Sequence, residues 1–195
     1  NASTWMEMAR GLLAQDNIPQ TLEYLRKAWA EPGFANKAYG LLTELFKRHP
    51  KDASVLKAMV ELETQLGLEA SLVSTVDHAY EWLSISPHEA SDVAALLEST
   101  VNQSNQVFSS GHPVALKIYL VWVDALFAAG LPDQAAQALG SFLEIWPREF
   151  IQVIQRSLDW LATRETKSIR LVTSQAYNVG EDFQNAIKTL EERLS

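Results

Sequence analysis

The spacing of the apolar residues constrains this chain most: they recur at intervals of three and four almost from end to end. In "VLKAMVELETQL", Val55, Met59, Val60 and Leu66 fall on one stripe. In "FIQVIQRSLDWL", Phe150, Val153, Ile154, Leu158 and Leu161 do the same. A helix turns by about 100° per residue, so this spacing gathers side chains on one face. The alternation that marks a half-buried strand does not persist over any useful length. Glycine (8) and proline (7) are scarce in the 195 residues, so little interrupts the pattern. The expected fold class is all-α.

Punctuation divides the chain into about eleven helices, predicted at 3–15, 18–31, 34–48, 52–66, 69–85, 87–101, 112–129, 132–146, 148–163, 166–178 and 181–194. In "SPHE", Ser86 has the character of an N-cap, with proline at the first helical position and Glu89 placed to reach back to the cap. Asp52 is a second expected cap. The polar stretch 102–113, "NQSNQVFSSGHP", lacks a stripe and is rich in turn formers; it is expected to be a long loop or a slack helix end, the best candidate for local mobility. Helices of this length with such short connections must run antiparallel to their neighbours. The stretch 118–129, "IYLVWVDALFAA", is the most apolar run, but it carries Asp124 and falls short of the roughly 20 residues needed to span a bilayer.

"DALFAAGLPDQAAQAL" poses a choice between a phosphate-cradling loop and a helical bend. Gly130 permits the backbone reversal that ends one helix, and Pro132 fixes the entry to the next. Ala128, Ala135 and Ala138 are small enough for two helices to approach closely. A phosphate loop would need more glycines, a preceding strand and a following Lys-Ser/Thr pair. The bend is a helical hairpin.

The surrounding segment 117–147 resembles a tetratricopeptide repeat. Tyr119, Trp122, Val123 and Leu126 fill the large and small positions of the first helix, and Gly130 the turn; Ala135, Leu139 and Pro147 follow in register, with Phe142 standing where a small residue is usual. A copy at the start uses Trp5, Met8, Ala9, Leu12, Leu25 and Ala28, with Pro32 one residue early. One near the end uses Ser174, Tyr177, Ala186 and Leu190. A weaker one uses Leu56, Met59, Val60, Gly67, Val76 and Ala79. The copies begin about 51, 63 and 51 residues apart, which is not a multiple of the 34-residue period; the first and third lie an even number of helices apart, as a regular array demands. The resemblance implies a right-handed α-solenoid of antiparallel helix hairpins, read as a single domain over 3–195. Asn1 and Ala2 are set aside as an expression scar joined to a protein interior, the chain being read as part of a larger bacterial protein or assembly.

Composition removes several chemistries. The chain has no cysteine, so disulfides, thiolate metal sites and cysteine nucleophiles are excluded. His49, His78, His88 and His112 show no metal-binding spacing, and no cofactor is expected. His49 is placed to favour a helix dipole, and His78 to be partly buried in a helix. Glu61 and Glu63 point to different sides of a helix and make no acid–base pair. No nucleophile elbow or nucleotide loop occurs. The six tryptophans (5, 29, 82, 122, 146 and 160) fall on helix stripes or ends and are expected to pack between helices. The net charge is −8, of which residues 51–100 carry −7, nine acids against Lys51 and Lys57. An acidic surface disfavours nucleic acid; this one is either a solvated face or a docking patch for a basic partner.

The resemblance implies a non-enzymatic scaffold that binds a peptide or partner domain on its concave face. The inward positions it gives are Met6, Arg10 and Leu13 in the first copy and Leu120, Asp124 and Phe127 in the third. That surface is mixed and rather apolar, suited to a hydrophobic or basic segment of a protein partner, and it lacks the lysine–asparagine set that grips acidic carboxyl termini. The rival readings are a helical module that assembles through its own ends, a helical hydrolase fragment and a ligand-sensing domain of a regulator. The compartment is left open between cytoplasm and periplasm.

Overall fold

A computed structural model describes residues 1–108 and 112–146. Among these residues the chain forms eight α-helices and one short 3-10 turn, with no strand. The helices are α1 (Ala2–Ala14), α2 (Ile18–Trp29), α3 (Ala35–Arg48), α4 (Ala53–Leu66), α5 (Glu69–Ile85), α6 (Ala90–Val107), α7 (Pro113–Ala128) and α8 (Pro132–Ile145). The first eight expected helices are therefore present. Those at 148–163, 166–178 and 181–194 lie outside the described residues, together with Trp160 and the repeat copy near the end.

The turns follow from their residues. Gly130 is left-handed (φ 74°), and the amides of Gly130 and Leu131 donate to the carbonyls of Phe127 and Leu126 at 3.0 Å each. This double bond pattern closes α7 and lets Pro132 begin α8. The same pattern ends α1, where Asp16 adopts φ 58° in place of a glycine and the amides of Asp16 and Asn17 donate to Leu13 and Leu12. Gly67 (φ 59°) caps α4; a β-carbon there would also collide with the end of the Gln103 side chain, so α6 leans over this turn.

Three local readings meet particular residues. Asn1 and Ala2, set aside in the sequence reading, take part in α1: the Asn1 side chain accepts the Thr4 amide at 3.0 Å, and Ala2 is a buried first-turn residue. Of the two forms expected within 102–113, a loop or a slack helix end, residues 102–107 take the helical one, since α6 runs on to Val107, while 109–111 lie outside the described residues. Its polar residues alternate with buried anchors, so Val101, Ser104 and Phe108 are buried while Asn102, Asn105 and Gln106 face water. "SPHE" forms a 3-10 turn without a serine cap; Glu89 instead accepts the indole N–H of Trp82 at 2.8 Å. Asp52 does cap α4, accepting the amides of Ser54 and Val55.

Each helix packs on its neighbour in the chain, with α1 on α2, α4 on α5 and α6 on α7 the most extensive pairs. Further packing joins helices two apart: α1 with α3, α2 with α4, α4 with α6 and α5 with α7. Side-chain bonds mark this second set. Arg48 donates to the Leu13 carbonyl and His49 pairs with Asp16, joining the C-terminal ends of α1 and α3. Arg26 pairs with Glu61 (2.9 Å) and Gln65 donates to the Trp29 carbonyl across α2 and α4; Lys57–Asp92 and Thr64–Thr100 bridge α4 and α6. The six links span 33 to 36 residues of sequence.

The interior is split. One cluster holds residues of α1 to α4, including Leu13, Leu25, Leu42 and Met59; the other runs from α4 to α8 and includes Leu72, Trp82, Leu97, Val123 and Phe142. Helix α4 serves both, turning Val55, Ala58, Met59 and Leu62 to the first and Leu56 and Val60 to the second. It is accordingly buried over most of its circumference, with only Ser54, Lys57, Glu61 and Gln65 left along one outward stripe. The tryptophans pack as expected where described: Trp29, Trp82 and Trp146 are buried, and Trp5 and Trp122 half-buried.

Candidate functional site

A cleft of about 500 Å³ lies between α1 and α3, a size in the ordinary range of ligand clefts. Helix α2 packs on both and backs it, while the Arg48 and His49 bonds tie its walls together at one end. Ser3, Met6, Glu7 and Arg10 line one wall, and Lys37, Gly40, Leu41 and Glu44 the other, with Phe34 at the mouth. The two sets correspond one to one: each residue on α3 stands 34 positions after its counterpart on α1. Met6 and Leu41 are buried and form an apolar floor. Gly40 leaves that floor open, since a β-carbon there would meet nothing within 4 Å. The rim carries both signs of charge. Lys37 lies 5.0 Å from the centre of the Phe34 ring, and Glu44 is held by Arg48 at 2.6 Å. Arg10 and Lys37, both exposed, face each other diagonally across the walls.

Of the six positions expected to bind a partner, the structure brings Met6 and Arg10 to this cleft. Leu13 is a core residue whose carbonyl serves as the acceptor for Arg48. Leu120 is likewise buried, in the second core cluster. Asp124 and Phe127 are half-buried on α7, which is not among the helices lining the cleft. A smaller hollow of about 200 Å³ lies among α6, α7 and α8, lined by Ala94, Ala95, Trp122 and Leu126 among others.

A polar network behind the cleft is not evident from sequence. Glu63 on α4 is 0% exposed. Its Oε1 accepts the Tyr39 hydroxyl of α3 at 3.0 Å. Its Oε2 accepts the Thr75 hydroxyl at 3.1 Å and faces Nδ1 of His78 at 3.0 Å, both on α5. A buried carboxylate persists when its lone pairs are filled, and here three donors from two helices fill them. Burial and the nearby carboxylate push the Tyr39 phenol up to about 12 from its ordinary 10.0. The network fixes α3, α4 and α5 to one another, and the far wall of the cleft with them. His78 is partly buried as expected, at 14% side-chain exposure, and the Phe46 ring meets it edge-on. The only sequence sign of the network was the acid itself, set among apolar residues in "VELETQL".

The acidic region 51–100 divides in the same light. Five of its nine acids have partners within the fold: Asp52 caps α4, Glu61 binds Arg26, the buried Glu63 anchors the network, Glu89 receives Trp82 and Asp92 pairs with Lys57 at the surface. Three of the other four, Glu69, Asp77 and Glu81, stand on α5. Among the described residues no helix is long and apolar enough to cross a membrane. No family model matches the chain, and no curated protein is detectably similar to it.

Proposed function

We propose that this chain is a non-enzymatic interaction module, a tetratricopeptide-like right-handed stack of helix hairpins that holds a peptide segment of a protein partner in the cleft between α1 and α3. The correspondence of the cleft walls at 34 residues carries the reading. A cleft whose two sides are successive copies of one helix face is what hairpin stacking produces. Among the described residues the more extensive packing joins helices one or two apart, and this, with links spanning 33 to 36 residues, supports the same arrangement. The apolar floor over Gly40 seats one apolar side chain of the peptide. Arg10 and Lys37 then reach acidic or carbonyl oxygens on either side of it.

Gly40→Trp tests the reading, because Gly40 lines the cleft and a β-carbon there meets nothing within 4 Å, so that a large side chain projects into the cleft. Peptides selected on the wild-type chain from a random library are titrated by fluorescence anisotropy against Gly40→Trp and against Ala95→Trp, which fills the second hollow. Gly40→Trp should weaken binding by about tenfold or more with an unlowered melting temperature, since a mid-helix glycine is a poor helix former. Ala95→Trp should leave binding unchanged. Peptides that bind Gly40→Trp as tightly as wild type, or a library that yields no binder, would overturn the proposal.

A further inference from the structure

The outward face of α5 carries a second surface, separate from the cleft. Tyr80 is 60% exposed and Val73 46% exposed, two turns apart on one helix. At about 100° per residue, Glu69, Val73, Asp77, Tyr80 and Glu81 share an arc of about 120°. The opposite face holds Ser71, Leu72, Thr75, Ala79 and Trp82, all buried. The other acids of this region serve as a cap, in two ion pairs, as the acceptor of an indole and in the Glu63 network, except Glu98 on α6. Three acids of this region and two of the most exposed apolar side chains among the described residues therefore coincide on one helix.

We propose that this face of α5 docks a basic amphipathic helix of a partner protein, whose apolar stripe lies on Val73 and Tyr80 while lysine or arginine side chains on its flanks meet Glu69, Asp77 and Glu81. Charge complementarity selects this occupant. An acidic helix would be repelled, and an uncharged one would leave three carboxylates facing an apolar surface. The Tyr80 ring supplies a rigid amphipathic anchor of the kind that dominates such contacts. Helix-on-helix docking also fits the length, since α5 offers 17 residues of straight helix.

The probe is a synthetic helix of about 18 residues with a leucine stripe flanked by lysines, compared with the same peptide carrying glutamates in place of the lysines. Binding is followed by anisotropy at low salt, with sedimentation of the protein alone as a second measurement. The cationic peptide should bind and the anionic one should not. Asp77→Lys/Glu81→Lys should weaken binding by about tenfold and Tyr80→Ala by about fivefold. Glu23→Lys, an exposed acid on α2, and the cleft-filling Gly40→Trp should leave it unchanged. The Gly40→Trp arm separates this surface from the cleft, so either proposal can fail alone. Equal binding of both peptides, loss with Glu23→Lys as great as with the α5 pair, or a Tyr80-dependent dimer in sedimentation would overturn the assignment.

Discussion

Replacing His78 by leucine should destabilise the fold far more than the loss of one half-buried histidine suggests, and replacing Glu63 as well should recover much of that loss. The reason is an asymmetry of burial. Glu63 is 0% exposed, whereas the His78 side chain retains 14%. In His78→Leu the carboxylate keeps Tyr39 and Thr75 but loses its contact with Nδ1, and water cannot take that place. Breaking a buried pair from this side costs about 3–5 kcal/mol. Glu63→Leu removes the charge together with its desolvation penalty. The Thr75 hydroxyl then turns its single proton to the Ser71 carbonyl at 3.0 Å, and Tyr39 is only half-buried and can turn to water. The cost there is the lost charge-assisted bonding, about 1.5–3 kcal/mol. With both replaced, leucine meets leucine in an apolar site, which is often close to neutral. The edge contact of His78 with Phe46 is lost in both the single and the double variant and cancels from the cycle. Urea unfolding followed by circular dichroism at 222 nm gives the four free energies. The double variant should be more stable than the sum of the singles predicts by about 2 kcal/mol or more. Additivity within about 0.5 kcal/mol would refute the reasoning, since it would mean that Glu63 is not held by His78.

Two more predictions probe the same region. A spectrophotometric titration should show one tyrosine ionising late, toward about 12, and advancing toward 10 in Glu63→Gln. Because the folded state raises this pKa, the associated stability is present below pH 10 and lost as the pH rises toward 12; a titration in which no tyrosine lags would refute it. Gly67→Ala should cost about 1–2 kcal/mol from its left-handed backbone and the collision with Gln103. Gln103→Ala should relieve the collision but leave the backbone share, so an equal cost in both backgrounds, measured by thermal melts, would show that the collision contributes nothing.

Much of this architecture was legible from periodicity alone. Eight helices stand within a few residues of where three-and-four spacing put them, and the Gly130 and Asp52 signals act as their chemistry requires. Polarity left 102–107 open between a loop and a helix end, and packing decided it for the helix. Asn102, Asn105 and Gln106 face water, and three well-spaced anchors suffice to keep that turn of helix in place. "SPHE" misled for a related reason: Glu89 had a buried indole within reach, and a donor without access to water outbids a frayed helix end.

The inward positions were harder to place, because a stripe says that a residue is covered but not by what. Leu13 and Leu120 look like Met6 in sequence, yet neighbouring helices seal them while the gap between α1 and α3 leaves Met6 at a cleft.

What the sequence by itself determined is local: where helices begin and end and which face of each is apolar, since these depend on residues within a turn or two of one another. Only the tertiary structure decided which helices meet. That choice made Glu63 a buried anchor rather than a surface acid, gave most acids of the region partners within the fold, and left three of the others on the helix that carries Tyr80. Side chains about 35 positions apart came into contact through packing of whole helices, and no short-range pattern encodes that distance.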